Sequence, residues 1–276
     1  MTTLDVRPSP IAGTWYQDNP KVLASQVDEY LDKASLPSLE GQVIAVIAPH
    51  AGHRYSGAVA AYAFAALRGL EPEIVAVISP FHDYALHPLM TTSHQAYATP
   101  LGPIEVDRNA LTELQGHLAT PITAVSKDRE HSIEIELPFL QRVFKNSFKL
   151  LPVMIRAQED GIAQSLGMAL AHTLEDQNAL FVASTDLSHF YDQHTAEKLD
   201  REMLKRFESF QPKSIFEAEH SGKGFACGHA AVAAVMWAAS ELGANKVQTL
   251  NYATSGDVTG DYSSVVGYGA GVILKT

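Results

Sequence analysis

The chain has one cysteine, no basic cluster and no long apolar run, and each shortage excludes something. A single thiol, Cys227, rules out an internal disulfide, so nothing demands an oxidising compartment. Basic residues are scarce: 20 Lys and Arg stand against 31 Asp and Glu, for a formal net charge of -11. With no basic stripe set into that acidity, no nucleic-acid partner is expected. No stretch reaches the roughly 18 uncharged apolar residues of a membrane helix, so no membrane partner is expected either. The first residues, Met1-Thr-Thr-Leu-Asp-Val-Arg7, lack the apolar core of a signal peptide. The expectation is a cytoplasmic protein. Linkers, low-complexity segments and repeats are also missing, and proline and glycine are scattered. These features predict a single domain over 1–276.

What is present is apolar sequence in short runs that end in histidine. Three of them are Val43-Ile-Ala-Val-Ile-Ala-Pro-His50, Ile74-Val-Ala-Val-Ile-Ser-Pro-Phe-His82 and Ala179-Leu-Phe-Val-Ala-Ser-Thr-Asp186-Leu-Ser-His189. Each has the length and the Val/Ile bias of a buried parallel strand. Ligands of open α/β sheets bind in the crevice beyond the carboxyl ends of the strands. The three histidines and Asp186 are therefore expected to face one crevice.

The pattern predicts an α/β fold with a central, largely parallel or mixed sheet flanked by helices. A first βαβ unit joins a strand over 42–48, a helix over about 56–70 with Ser56 as N-cap and Gly69 as its stop, and a strand over 73–79. In that unit the strands of His50 and His82 are neighbours, about 4.8 Å apart. Residues 130–144 carry Ile133, Leu137, Leu140 and Val143 at helical spacing, with a kink or break expected at Pro138. A strand over 149–155 and a helix over 160–175 precede the third histidine-bearing strand, 179–184. Helices follow over 194–207, 212–220 and 228–242, then strands over 246–253 and 263–274.

Several residues carry the chemistry. His50 and His82 can converge on one ion. Asp186 can orient a histidine ring or cap a helix, and His189 can move protons, because an unperturbed imidazole titrates near pH 6.5. Cys227 precedes an Ala-rich helix, where a thiol is acidified and can ligate a soft metal. His131 is expected to face the crevice from Arg129-Glu-His-Ser-Ile-Glu134, while Glu130 or Glu134 satisfies helix-end amides. His87, His94, His117, His172 and His220 have no such context and read as surface groups. A metal-free hydrolase with Cys227 as nucleophile and His189 or His229 as base is a further reading, but it leaves His50 and His82 idle.

In order along the chain, Ala12-Gly-Thr-Trp-Tyr16, Ala48-Pro-His-Ala-Gly-His-Arg-Tyr-Ser-Gly57, Ser79-Pro-Phe-His82, Glu130-His-Ser-Ile-Glu134 with Leu137-Pro-Phe-Leu140, Ser184-Thr-Asp-Leu-Ser-His189, Ala226-Cys-Gly228 and Ser255-Gly-Asp-Val-Thr-Gly-Asp261 with Ser263-Ser-Val-Val-Gly-Tyr268 resemble the Memo family. That family is similar to the class III extradiol dioxygenases, which are non-haem iron enzymes. The resemblance implies His50, His82 and Cys227 as metal ligands, with His189, Asp186 and His131 as catalytic residues. It implies a transition metal: iron first, with copper or zinc as alternatives. Where the dioxygenases use a glutamate ligand this chain has Cys227, and where the family often has tyrosine it has His53. The expected function is a metal-binding, dioxygenase-like oxidoreductase of unknown substrate, with a small molecule or peptide in the crevice. The alternative is a non-catalytic binding or signalling adaptor that keeps the crevice.

Overall fold

A computed structural model describes residues 4–276. In chain order the elements are β1 (Val6–Arg7), α1 (Pro20–Lys33), β2 (Gln42–Ala48), α2 (His53–Ala65), β3 (Ile74–Pro80), β4 (Leu89–Thr92), β5 (Ala96–Tyr97) and β6 (Ile104–Glu105). There follow α3 (Arg108–Gly116), β7 (Ile122–Val125), a 3-10 turn (Glu134–Glu136), α4 (Leu137–Val143), β8 (Lys149–Ile155), α5 (Asp160–Leu174), β9 (Ala179–Ser184) and β10 (His189–Tyr191). The chain closes with α6 (Gln193–Glu208), α7 (Pro212–His220), α8 (His229–Glu241), β11 (Lys246–Thr254), α9 (Gly256–Thr259) and β12 (Val265–Lys275).

The main sheet is mixed, as expected. It runs β10-β12-β2-β9-β3-β8-β4-β7, and β11 pairs beside it on β12. Strands β2, β9, β3 and β8 are parallel, and β12 and β4 flank them antiparallel. The parallel strands are buried along their length, which is why they read as unbroken Val/Ile/Ala runs rather than as an alternation. Helix α2 packs on β2, β11 and β12 with α1 and α4 against it, and α8 packs across β2, β3, β8 and β9 with α5 and α7. Removing Phe181 from water, fully buried on β9, contributes about 1.5–3 kcal/mol, and many such side chains make one continuous core.

Four sequence expectations are corrected here. Strands β2 and β3 are not neighbours: β9 lies between them, paired parallel to both. The helix after β2 starts at His53, not Ser56. Gly52 is its N-cap, and the Ser56 hydroxyl instead donates to the Ala51 carbonyl at 2.8 Å. Pro138 neither kinks nor breaks a long helix. It sits in the first turn of α4, where its missing N–H has no partner to lose, and the segment before it is a turn. Helix α2 ends at Ala65, short of the expected stop at Gly69, which lies with φ +87° in the turn that follows. Among the described residues no helix is long and apolar enough to cross a membrane.

Candidate metal centre

The carboxyl ends of β2, β9 and β3 open into a cavity of about 700 Å³ lined by His50, His82, His131, Asp186 and His189. Of the six residues expected as metal ligands or catalytic groups, only Cys227 is missing from that lining. One ring nitrogen each from His50, His82 and His131 lies within 4.8 Å of the others. The His82 and His131 rings stack with centroids 4.9 Å apart, and His50 meets them edge-on at 5.2 and 5.5 Å.

Each ring is held from behind. Glu130 Oε1 accepts from His82 Nδ1 at 3.0 Å and lies 3.3 Å from His131 Nδ1. The same carboxylate also takes the backbone N–H groups of His82, His131 and Ser132. Glu130 thus does serve backbone amides, and it also aims two imidazoles, a role its sequence position did not reveal. Burial opposes its charge, but His82 and His131 outweigh that and hold the carboxyl well below the usual carboxylate range. His50 Nδ1 meets Ser184 Oγ at 2.8 Å. With the Nδ1 atoms of His50 and His82 engaged, their Nε2 atoms lie on the opposite side of each ring, that of His50 against Cys227 Sγ. This carboxylate– or hydroxyl–histidine pairing is what orients metal-ligating imidazoles.

Electrostatics disfavours charge on two of the rings. Burial, then the neighbouring His131 and His82, push His50 well below its ordinary value, and burial lowers His131 to about 4. Neutral imidazole is the form that offers a lone pair to a metal. Trp15 covers His131 with ring centroids 4.2 Å apart.

Asp186 acts on the main chain rather than on a ring. Its Oδ1 accepts the backbone N–H of His50 at 2.8 Å and fixes the turn after β2. No helix starts there, so the capping alternative falls away. Burial raises its carboxyl to about 7. His189 opens β10, paired with Val266 on β12. Its Nε2 is buried without a hydrogen-bond partner, and burial and then His82 lower its basicity. Phe190 has φ 66°, and the ladder is irregular between His189 and Tyr191. That departure lets the consecutive residues His189 and Phe190 both line the cavity, where a regular strand would turn one away.

Cys227 lies one step outside the histidine group. Its Sγ is 3.1 Å from His50 Nε2, and the Asp186 N–H points at it from 3.3 Å. The thiol is not acidified as its place before α8 led us to expect. Burial and the nearby Asp186 push it up instead, which outweighs two residues' distance from a helix start. His229 does not serve it: His229 Nδ1 donates to Ala226 O at 2.9 Å and lies 3.3 Å from Glu219. The hydrolase reading therefore loses its activated nucleophile. Gly228 makes the approach of Cys227 to β9 work, since a Cβ there would overlap the carbonyl of Ser184 and the side chain of Thr185.

Other residues were missed from sequence. His53 is buried, with Nε2 3.0 Å from Ile135 O, and burial lowers it to about 4. Arg7 is buried at 2% exposure between Asp128 at 2.6 Å and Glu134 at 2.7 Å, and it also donates to Glu130 O. It ties down the segment that carries Glu130 and His131. His94, read as a surface group, bridges Asp5 and the Ser126 carbonyl, both at 3.0 Å.

A mixed α/β sheet with three converging imidazoles at its strand ends defines a protein with a candidate metal centre in a strand-end crevice. The model for Memo-like proteins matches residues 7–272, and the chain belongs to the Memo family. A MEMO1 family protein of Nitrosopumilus maritimus is 33% identical over 270 residues, covering 96% of this chain and 98% of its own. One from Methanopyrus kandleri is 34% identical over 282 residues, covering 98% and 99%. One from Methanothermobacter thermautotrophicus is 34% identical over 276 residues, covering 95% and 98%.

Proposed function

We propose that this protein is a metal-dependent oxidoreductase of the dioxygenase-like kind, with a non-haem iron or copper site built on His50 and His82. The observation that carries the reading is the convergence of three imidazoles, each with an outer partner. Such a donor set suits iron, copper or zinc, which prefer nitrogen and sulfur ligands, better than magnesium or calcium. The third ligand is the open point. His131 belongs to the gathered group, and Cys227, beside the same His50 nitrogen, is the ligand that the family resemblance implies.

When bound, the metal would act as a Lewis acid and, if iron or copper, as a redox centre. The chain's own residues have separate tasks. Glu130 and Ser184 hold the ligand rings, and Asp186 holds the His50 backbone. His189 is the acid–base group of the proposal, supported by its place in the cavity lining and by a buried ring nitrogen without a hydrogen-bond partner. A small molecule or peptide segment is the proposed occupant of the cavity, against Trp15, Tyr55 and Phe190 at its rim.

Elemental analysis of anaerobically purified protein tests the reading. Stoichiometric iron or copper is expected in the wild type and none in His50→Ala. Absence of stoichiometric transition metal from the wild type would overturn it. Comparing Cys227→Ser with His131→Ala then identifies the third donor as the variant that loses metal.

A further inference from the structure

The hydroxyl behind His50 has more neighbours than hydrogens. Ser184 Oγ lies 2.8 Å from His50 Nδ1, 2.7 Å from the Ser132 carbonyl oxygen and 2.8 Å from Glu136 Oε1. All four residues are buried to 1% exposure or less, out of reach of bulk solvent. Three contacts of hydrogen-bond length need three hydrogens, and the hydroxyl owns one. A carbonyl oxygen can only accept, so the Ser184 hydrogen must go to Ser132. The other two contacts then point inward to the two lone pairs of Ser184 Oγ. Their hydrogens can come only from His50 Nδ1 and from the Glu136 carboxyl. Any other assignment leaves two buried polar atoms pressed together with no hydrogen between them, an arrangement that costs about 1–3 kcal/mol for each unsatisfied group.

We propose that Glu136 is a positioning residue that keeps its proton in the folded protein and donates it to Ser184, which in turn receives the Nδ1 hydrogen of His50 and so sets that ring's tautomer. Glu136 forms no ion pair among the described residues, and Ser184 is its one side-chain hydrogen-bond partner there. Burial acts in the same direction, pushing its carboxyl well above the ordinary range. The assignment reaches the metal centre through His50. With hydrogen on Nδ1, the Nε2 atom carries a lone pair. The 3.1 Å contact to Cys227 Sγ must then be a thiol hydrogen donated to that nitrogen. The ring presents its lone pair inward before any ion arrives, held by a neutral acid rather than by a carboxylate.

This inference deepens the metal reading and rests on it only for the effect on affinity. The experiment therefore has a metal-free arm. Infrared difference spectra of wild type and Glu136→Gln at neutral pH are expected to show a carboxylic-acid C=O band that only the wild type has. Long-range proton–nitrogen NMR of histidine-labelled, metal-free protein is expected to show His50 protonated on Nδ1. The second arm measures cobalt(II) affinity by chelator competition. Glu136→Gln, whose amide N–H replaces the acid proton, is expected to bind like the wild type. Ser184→Ala is expected to bind about 10–100-fold more weakly, the usual cost of losing a partner behind a ligand histidine. Absence of the acid band, or a His50 proton on Nε2, overturns the proposal, and both are read on wild-type protein whatever the variants do. Equal weakening in Glu136→Gln and Ser184→Ala also overturns it. If the wild type shows the band and the tautomer yet binds no metal, the metal reading fails and this assignment stands.

Discussion

Glu130 touches two of the three clustered histidines through one oxygen. Glu130→Gln keeps its size but gives up the charge that both Nδ1 hydrogens face. Its effect on metal affinity is expected to be a loss of about 10–100-fold, read by chelator competition. His53 offers a test that needs no metal. Its folded value, about 4, lies below the ordinary 6.5, because the buried ring resists charging. Between those values the unfolded chain binds a proton that the native protein refuses, so stability rises with pH across that window. The contribution is complete above pH about 6.5 and is lost as pH falls toward 4, on the order of 3 kcal/mol in all. His53→Tyr, which installs the residue the family often carries, is expected to flatten that slope in urea titrations at pH 4.5 and 7.5. An unchanged slope would show that His53 does not carry it.

At the level of elements, the segment 128–134 is held to β1 by Arg7, whose guanidinium lies between two buried carboxylates. Removing one member of such a cluster strands the others in a medium that disfavours charge. Arg7→Met is expected to destabilise by about 3–5 kcal/mol, measured by denaturant unfolding. Gly228→Ala is expected to cost about 1–3 kcal/mol, because β9 backbone must give way to the new methyl group. A shift in the environment of Cys227, seen as altered alkylation kinetics, should accompany it. Element boundaries were legible wherever local chemistry sets them: 149–155, 179–184 and 212–220 match to the residue. The insertion of β9 between β2 and β3 was not, because strand order is decided by pairing between segments more than 100 positions apart, which leaves no periodic trace. The site was legible in the same uneven way. His50, His82, His131, Asp186 and His189 announced themselves at strand ends and in turns, and all line one cavity. Ser184 and Glu136 did not. One ends an apolar strand and the other sits in a short acidic stretch, and what matters about them is a mutual distance that appears only on folding. The thiol of Cys227 was misjudged because a helix terminus is visible in sequence and complete burial is not.

On the scale of the whole molecule, one continuous core joins both helical groups to the sheet, and it should melt as one unit. A calorimetric scan of the metal-free protein is expected to show a single transition with equal calorimetric and van't Hoff enthalpies; two resolved peaks would contradict a one-domain chain. The place of β9 has a consequence for time rather than for space. The segments that carry His50 and His82 are separated by a strand that arrives from 100 positions further along, and His131 comes from a third segment. No short stretch of the nascent or unfolded chain holds the donors together, so an ion has little to grip until the sheet is assembled. A metal that recognises only the finished fold leaves the climb to the folding transition state almost untouched and deepens the well behind it. Added metal should then slow unfolding while leaving the refolding rate as it was, so that the protein would hold its ion by reluctance to open rather than by haste to close.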